Sequence, residues 1–79
     1  MIRVVILGAS GYVGGELLRL LAAHPAMEAA VAFGSSTAGR PVAEVHPHLA
    51  LAYPHMMLAA WSPNLLVGTD LILAARCVH

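Results

Sequence analysis

The sequence predicts an α/β fold in which parallel strands alternate with helices, and three observations within its first 33 residues support this. Residues 2–7, IRVVIL, are a short run rich in β-branched residues, as buried parallel strands are. Glycines then recur at every third position, Gly8, Gly11 and Gly14, and lead into apolar residues at helical spacing. Residues 29–33 form a second apolar run. This order predicts one right-handed βαβ unit, the first part of a doubly wound, mostly parallel Rossmann sheet.

The helix of this unit is predicted over residues 12–24, where four apolar residues recur at helical spacing and predict its inward face: Val13, Leu17, Leu20 and Leu21. It is expected to stop there, because Pro25 cannot continue a helix and disfavours helical geometry at the residue before it. Ser10 precedes the helix, where its hydroxyl is expected to cap the first free N–H groups or to contact a phosphate.

The spacing G-x-x-G-x-x-G predicts a turn that binds the phosphates of a nucleotide. Gly8 permits a backbone conformation that a side chain would hinder, and Gly11 permits close approach of the backbone to a pyrophosphate. Gly14 permits tight packing of the helix on the strand, and the dipole of that helix is positive where it faces the anion. The alternative is a glycine-rich turn that binds nothing, but the preceding strand and following helix favour the phosphate site.

The residues after the second predicted strand indicate which dinucleotide the turn binds. In NAD-binding proteins an acidic residue about 20 residues beyond the glycine loop bonds the ribose 2′-hydroxyl. This sequence has Gly34-Ser35-Ser36-Thr37 there and Arg40 a little further on, so donors replace the carboxylate that would repel a 2′-phosphate. We therefore expect NADP rather than NAD, with Ser35 and Ser36 at the 2′-phosphate; the alternative is an ordinary loop with a solvated arginine.

The later residues are predicted to complete the same sheet. Residues 39–54 are expected to form a structured loop leaning over the cofactor edge of the sheet. Residues 56–61 are predicted to be a short strand, and residues 62–67 a single helical turn with Ser62 as its cap. The apolar run at 70–75 is predicted to be the last strand.

Three histidines in or near this loop, His46, His48 and His55, raise the question of a metal site. Their spacing does not match the known zinc patterns, and no cysteine lies nearby in the sequence. No metal is therefore predicted.

Composition excludes several classes of protein. With a net charge of zero, four arginines and no lysine, the sequence shows nothing that resembles the basic patch of a nucleic-acid-binding protein. No apolar run reaches the roughly 18 residues of a membrane-spanning helix, and the single cysteine fits a reducing compartment, so a cytoplasmic protein without membrane or nucleic-acid partners is expected. Because 59% of these 79 residues are hydrophobic, some are expected to be covered by the rest of a longer chain or by a partner.

The stretches GASGYVGGELLRLLAAHP (8–25) and AGRPVAEVHPHL (38–49) resemble the N-terminal part of N-acetyl-gamma-glutamyl-phosphate reductases. Tyr12, after the second glycine, and the run HPHL at 46–49 are the specific features. Aspartate-semialdehyde dehydrogenases have a related glycine turn without these two features. A fragment of such an enzyme is the alternative to a fragment of the reductase. The resemblance extends to about Ala75 and so covers nearly the whole chain.

The resemblance implies an NADP-dependent oxidoreductase of arginine biosynthesis that is homo-oligomeric at full length. Such an enzyme reduces an acyl phosphate to N-acetylglutamate 5-semialdehyde and releases phosphate. In such enzymes a cysteine thiolate forms a thioester, NADPH supplies hydride and a histidine acts as acid and base. The cofactor-binding residues that it implies are Gly8, Ser10, Gly11, Tyr12, Val13 and Gly14 at the phosphate turn and Ser35 and Ser36 at the 2′-phosphate.

The resemblance implies no catalytic residue within this sequence. The cysteine and histidine of the family are expected in a second domain, and Cys77 is interpreted as a small apolar residue at a strand end. Where the family continues with a leucine-proline-histidine-glycine turn, this sequence has Arg76-Cys77-Val78-His79. We therefore expect residues 1–79 to be a truncated N-terminal portion of an NADP-binding domain, inactive alone. A stand-alone nucleotide-binding or regulatory module is the alternative.

Overall fold

The computed structural model describes residues 1–75 of the chain, and these form a parallel sheet with helices packed on it. The strands are β1 (Ile2–Leu7), β2 (Met27–Phe33) and β3 (Leu71–Ala74), arranged in the order β2-β1-β3. Helix α1 (Tyr12–Ala22) connects β1 to β2. The predicted α/β fold with its βαβ unit is confirmed.

The strand register places all three carboxyl ends at one edge of the sheet. Leu7 of β1 pairs with Phe33 of β2 on one side and with Ala74 of β3 on the other. A β-bulge interrupts the pairing of β1 with β2 between Val4 and Val5. Since the glycine turn follows Leu7 directly, it begins at the centre of this edge.

The core lies between the sheet and α1, and the buried face of α1 differs from the predicted one. Of the four residues predicted for this face, Leu21 is buried and Leu17 is partly buried against the core, whereas Val13 is 45% exposed and Leu20 is 55% exposed; Leu18, which was not predicted, is fully buried. The face turned inward also contains Gly14 and Gly15. The apolar spacing misplaced this face because it gives no weight to glycine, and here glycine is what allows the helix to approach the strand.

The predicted boundaries of the βαβ unit shift by a few residues. The helix ends at Ala22 instead of His24, because the ring Nδ1 of His24 accepts hydrogen bonds from the N–H groups of Ala26 (3.0 Å) and Met27 (3.1 Å). This closes a turn around Pro25, so β2 starts at Met27, two residues before the predicted strand.

The segment predicted as a loop contains two short helical turns. Helix α2 (Val42–Val45) is followed by a 3₁₀ turn at Pro47–Leu49. The predicted strand at 56–61 is wrong: Met57 and Ala59 form isolated bridges only, while Leu58 between them is buried.

A second 3₁₀ turn, Pro63–Leu66, lies in the predicted helical turn. Ser62 occupies its N-cap position as predicted, although no side-chain capping bond forms among the described residues. Across residues 1–75, no helix combines the length and the apolar character that crossing a membrane requires.

We expect Tyr53 to hold the segment after α2 against α1 through a hydrogen bond whose contribution to the free energy of unfolding depends on pH. Its hydroxyl donates to the carbonyl of Leu18 at 2.6 Å, and burial raises the pKa of Tyr53 above the ordinary value of 10.0. The folded state therefore favours the protonated phenol, so this contribution is complete below pH 10.0 and is lost as the pH rises through the folded-state pKa. Tyr53→Phe should lower the free energy of unfolding at pH 7 by about 1 kcal/mol and flatten its decline at alkaline pH. Urea titrations over a range of pH measure this, with Tyr12→Phe, at a tyrosine that is 78% exposed, as the control. If the free energy of unfolding declined equally at alkaline pH in both variants, this role of Tyr53 would be contradicted.

Candidate nucleotide-binding site

Two glycines of the turn are required by its backbone. Gly8 has φ +75°, a conformation that side chains rarely adopt, and a Cβ there would collide with the carbonyl oxygen of Ala75. A Cβ at Gly14 would collide with the carbonyl oxygen of Gly8 and lie 2.6 Å from the Cα of Ala9. The first turn of α1 therefore lies directly against the backbone at the end of β1.

Gly11 is different, because it borders open space. It is the N-cap residue of α1, and a Cβ built on it would meet only the carbonyl oxygen of Gly8, at 3.8 Å. A bulky group thus has room to approach the backbone at Gly11 closely. This is the geometry that a bound pyrophosphate needs at that position.

The N-terminus of α1 offers donors to whatever occupies this space. A helix leaves its first N–H groups without intrahelical acceptors, and within residues 1–75 no side chain caps those of α1. The predicted capping role of Ser10 is therefore wrong, since Gly11 takes the N-cap position and Ser10 lines a neighbouring cavity instead. Free N–H groups together with the positive end of the helix dipole suit an anion.

The neighbouring cavity has a volume of about 300 Å³ and opens at the carboxyl edge of the sheet. It joins the end of β1 to the end of β2, and both Ser10 and Ser35 line it. Its apolar wall includes Phe33 and Trp61, whose ring centroids are 5.2 Å apart and whose planes are tilted by 59°. Trp61 keeps 60% of its surface exposed, so one of its faces is available to a ligand.

The structure brings only some of the predicted residues to the cavity. Gly8, Ser10 and Ser35 line it. Tyr12 and Val13 lie in the first turn of α1 and are exposed. Ser36 is exposed but does not line the cavity, so it is less close to the site than Ser35 is.

The segment after β2 holds a compact conformation next to the cavity. The N–H of Arg40 donates to the carbonyl of Thr37 at 3.0 Å, and the N–H of Gly34 donates to the carbonyl of Ala59 at 3.0 Å. The Oγ1 of Thr37 is buried and has no hydrogen-bond partner within residues 1–75. Arg40 forms an ion pair with Glu44, its Nε lying 3.0 Å from Oε1, and both side chains are about half exposed. Such exposed pairs contribute little to stability, so Arg40 can exchange Glu44 for another anion at low cost.

Two features of this region were not predicted from the sequence. Trp61 reaches the cavity from a segment far from the glycine turn in the sequence, and the sequence pattern gave no sign of this role. His46 is buried and contacts the turn itself, its Nε2 lying 2.7 Å from the carbonyl oxygen of Ala9. Within the described part of the chain, no three histidine, cysteine, aspartate or glutamate side chains are grouped to hold a metal ion. Cys77 and His79 lie outside the described residues.

A parallel βαβ unit with a glycine turn at the carboxyl edge of its central strand is typical of dinucleotide-binding domains. The family model described as "Semialdehyde dehydrogenase, NAD binding domain" matches residues 3–76. The chain belongs to this semialdehyde dehydrogenase family, and its cofactor class is therefore a nicotinamide dinucleotide.

Similar proteins agree with the family match. N-acetyl-gamma-glutamyl-phosphate reductase from Acidothermus cellulolyticus is 49% identical over 73 residues, which is 92% of this chain and 21% of that protein. The Streptomyces avermitilis protein of the same name is 45% identical over 74 residues, 94% of this chain and 21% of the relative. The [LysW]-L-2-aminoadipate/[LysW]-L-glutamate phosphate reductase of Sulfurisphaera tokodaii is 53% identical over 49 residues, 62% of this chain and 14% of the relative. The resemblance predicted from the sequence is confirmed, and the chain spans about a fifth of the length of the first two relatives.

The difference between Gly14 and Gly11 can be tested by adding one methyl group at each. Gly14→Ala should lower the free energy of unfolding by at least about 2 kcal/mol, because the new Cβ meets backbone that cannot move aside cheaply. Gly11→Ala, where the space is open and φ is −80°, should change it by less than about 0.5 kcal/mol. Chemical denaturation of both variants measures this, and equal losses would show that the contact of α1 with β1 is looser than described.

Proposed function

We propose that residues 1–79 are the cofactor-binding part of a reductase that uses NADPH to convert N-acetyl-gamma-glutamyl phosphate to N-acetylglutamate 5-semialdehyde. The observation that supports this most strongly is the open space at Gly11 beside the uncapped start of α1. There the pyrophosphate would accept hydrogen bonds from the first N–H groups of the helix, including those of Tyr12 and Val13.

The adenosine end of the cofactor is proposed to occupy the cavity between the ends of β1 and β2. The exposed face of Trp61 offers a flat apolar surface of the kind on which a base stacks, and Ser10 and Ser35 offer hydroxyls at the polar side of the same cavity. A volume of about 300 Å³ suits one half of a dinucleotide, which leaves the other half to extend along the sheet edge.

The preference for NADP rests on charge at the end of β2. The residues that follow Phe33 are glycine, two serines and threonine, so the place of the carboxylate typical of NAD sites holds hydroxyl groups. Arg40 is close in sequence, and its exposed ion pair with Glu44 would be exchanged for one with the more highly charged 2′-phosphate. Ser35 and Ser36 are proposed as the other 2′-phosphate contacts.

The reaction is proposed from the relatives reported above, which are all phosphate reductases by name. Bound NADPH supplies hydride, so that one NADPH and one proton are consumed for each acyl phosphate reduced, and NADP⁺ and inorganic phosphate are released. The residues of this chain bind and orient the cofactor. The thiolate and the acid/base that the resemblance implies are proposed to belong to the part of such enzymes that the 79 residues do not span, so the chain alone is expected to bind without turnover.

Cofactor preference can be tested by moving a carboxylate to the end of β2. The full chain should bind NADPH at least about tenfold more tightly than NADH, as charged hydrogen bonds to the 2′-phosphate imply. Ser35→Asp should remove that preference by repelling the 2′-phosphate, while Ser35→Asn, of the same shape without the charge, should keep most of it. Isothermal titration calorimetry with both cofactors measures this. A wild-type chain that prefers NADH would overturn the NADP assignment without affecting dinucleotide binding.

Placement of the pyrophosphate can be tested at Gly11. Gly11→Trp fills the open space beside the start of α1 and should abolish binding of NADPH and NADH alike. Because a Cβ at Gly11 meets only the carbonyl oxygen of Gly8, at an ordinary contact distance of 3.8 Å, the variant should unfold at a temperature close to that of the wild type. Calorimetric titration and circular dichroism melting are the measurements, and a folded variant with unaltered affinity would refute the site.

A further inference from the structure

His46 is a buried histidine that joins the end of α2 to the glycine turn, 37 residues away in the sequence. It is 8% exposed and is the one polar or charged residue among the buried residues of the described range 1–75. Its Nε2 lies 2.7 Å from the carbonyl oxygen of Ala9, which can only accept. The ring nitrogen Nε2 therefore bears the hydrogen and donates a hydrogen bond to the carbonyl oxygen of Ala9.

The same ring explains a glycine that the G-x-x-G-x-x-G spacing leaves unexplained. A Cβ at Gly15 would lie 2.7 Å from Cε1 and 2.8 Å from Nδ1 of His46. Glycine at this position of α1 thus makes room for the imidazole. His46 thus lies against the turn at two points, Ala9 and Gly15, which flank the segment from Ser10 to Gly14.

His46 is itself held rigidly. The backbone N–H of His46 donates to the backbone carbonyl of Val42 at 2.8 Å, and the backbone carbonyl of His46 accepts from the N–H of Leu49 at 2.9 Å. Val42 and Leu49 are both buried in the core. The ring of His48 meets that of His46 edge-on, with centroids 5.8 Å apart. The imidazole is therefore fixed by two short helical turns whose own side chains are anchored.

The hydrogen bond to Ala9 determines which way one peptide group of the turn faces. Among the hydrogen bonds within residues 1–75, the carbonyl of Ala9 is bonded to His46 alone, and the N–H of Ser10 in the same peptide group has no acceptor. A trans peptide directs its N–H opposite to its carbonyl, so the bond to His46 turns the N–H of Ser10 away from His46 and leaves it free to donate. If this peptide rotated, it would present an oxygen where an anion is to bind.

We propose that His46 is a positioning residue: it holds the Ala9–Ser10 peptide in the orientation in which the glycine turn accepts a pyrophosphate. This inference rests on the proposed binding of a dinucleotide at Gly11. A histidine that merely fills space would affect stability, whereas one that orients this peptide affects ligands with a pyrophosphate more than ligands without one.

The test compares NADPH with 2′-AMP, which has the adenosine and the 2′-phosphate but no pyrophosphate. In His46→Leu of the full chain, the ring is replaced by an apolar group without a donor. NADPH affinity should fall at least about tenfold, as the loss of an oriented hydrogen bond implies, while 2′-AMP affinity changes by less than about threefold. His46→Gln, whose Nε2 can donate to Ala9, should recover most of the NADPH affinity. His55→Leu, at an exposed histidine further along the same segment, is the matched control.

Affinities are measured by NMR titration and folding by circular dichroism. Equal weakening of both ligands in folded His46→Leu, or no rescue by glutamine, would overturn the positioning role. Should His46→Leu fail to fold, Gly15→Ala displaces the same ring from the other side and must show the same selective loss of NADPH binding if the role is correct. A wild-type chain that binds 2′-AMP but not NADPH would refute the proposed site at Gly11. This result differs from failure of the positioning role alone, in which the wild-type chain binds NADPH and His46→Leu weakens both ligands equally.

Discussion

The contact between the first turn of α1 and the backbone at the end of β1 is the constraint on which the rest of the structure depends. Because no side chain separates Gly14 from Gly8 and Ala9, the helix starts immediately beside the strand end. This closeness places the unpaired N–H groups of α1 at the carboxyl edge of the sheet. The same contact brings Leu18 into one core cluster with residues of β1, so core packing and the position of these N–H groups share one geometric cause.

Much of the βαβ unit could be predicted from the sequence because its determinants are local. A β-branched run gave the bounds of β1 correctly, and glycine spacing located the turn. The inward face of α1 was predicted less well, since apolar periodicity misses a face formed partly by Gly14 and Gly15. Ser10 was predicted as the helix cap from its residue type. The N-cap position lies one residue later in the structure, at Gly11.

The segment between β2 and β3 could not be predicted to the same extent, because tertiary contacts determine it. Helix α2 has four residues, too few for an apolar period to be visible. Residues 56–61 are all apolar, as a buried strand is, but Met57 and Ala59 form single bridges to Pro41 and Phe33 instead of a ladder. The contacts of His46 with Ala9 and of Trp61 with Phe33 join residues far apart in sequence, and no local pattern encodes such pairs.

The strand order β2-β1-β3 has its own consequence for where a ligand fits. The chain leaves β1 towards one neighbour and later returns to pair with the other side of the same strand, which makes the end of β1 a topological switch point. At such a point the connections diverge and open a crevice between them. A dinucleotide held at Gly11 with its adenosine beside β2 would direct its nicotinamide half past the end of β3. The direction of a cofactor bound in this way would thus follow from the path of the chain through the sheet.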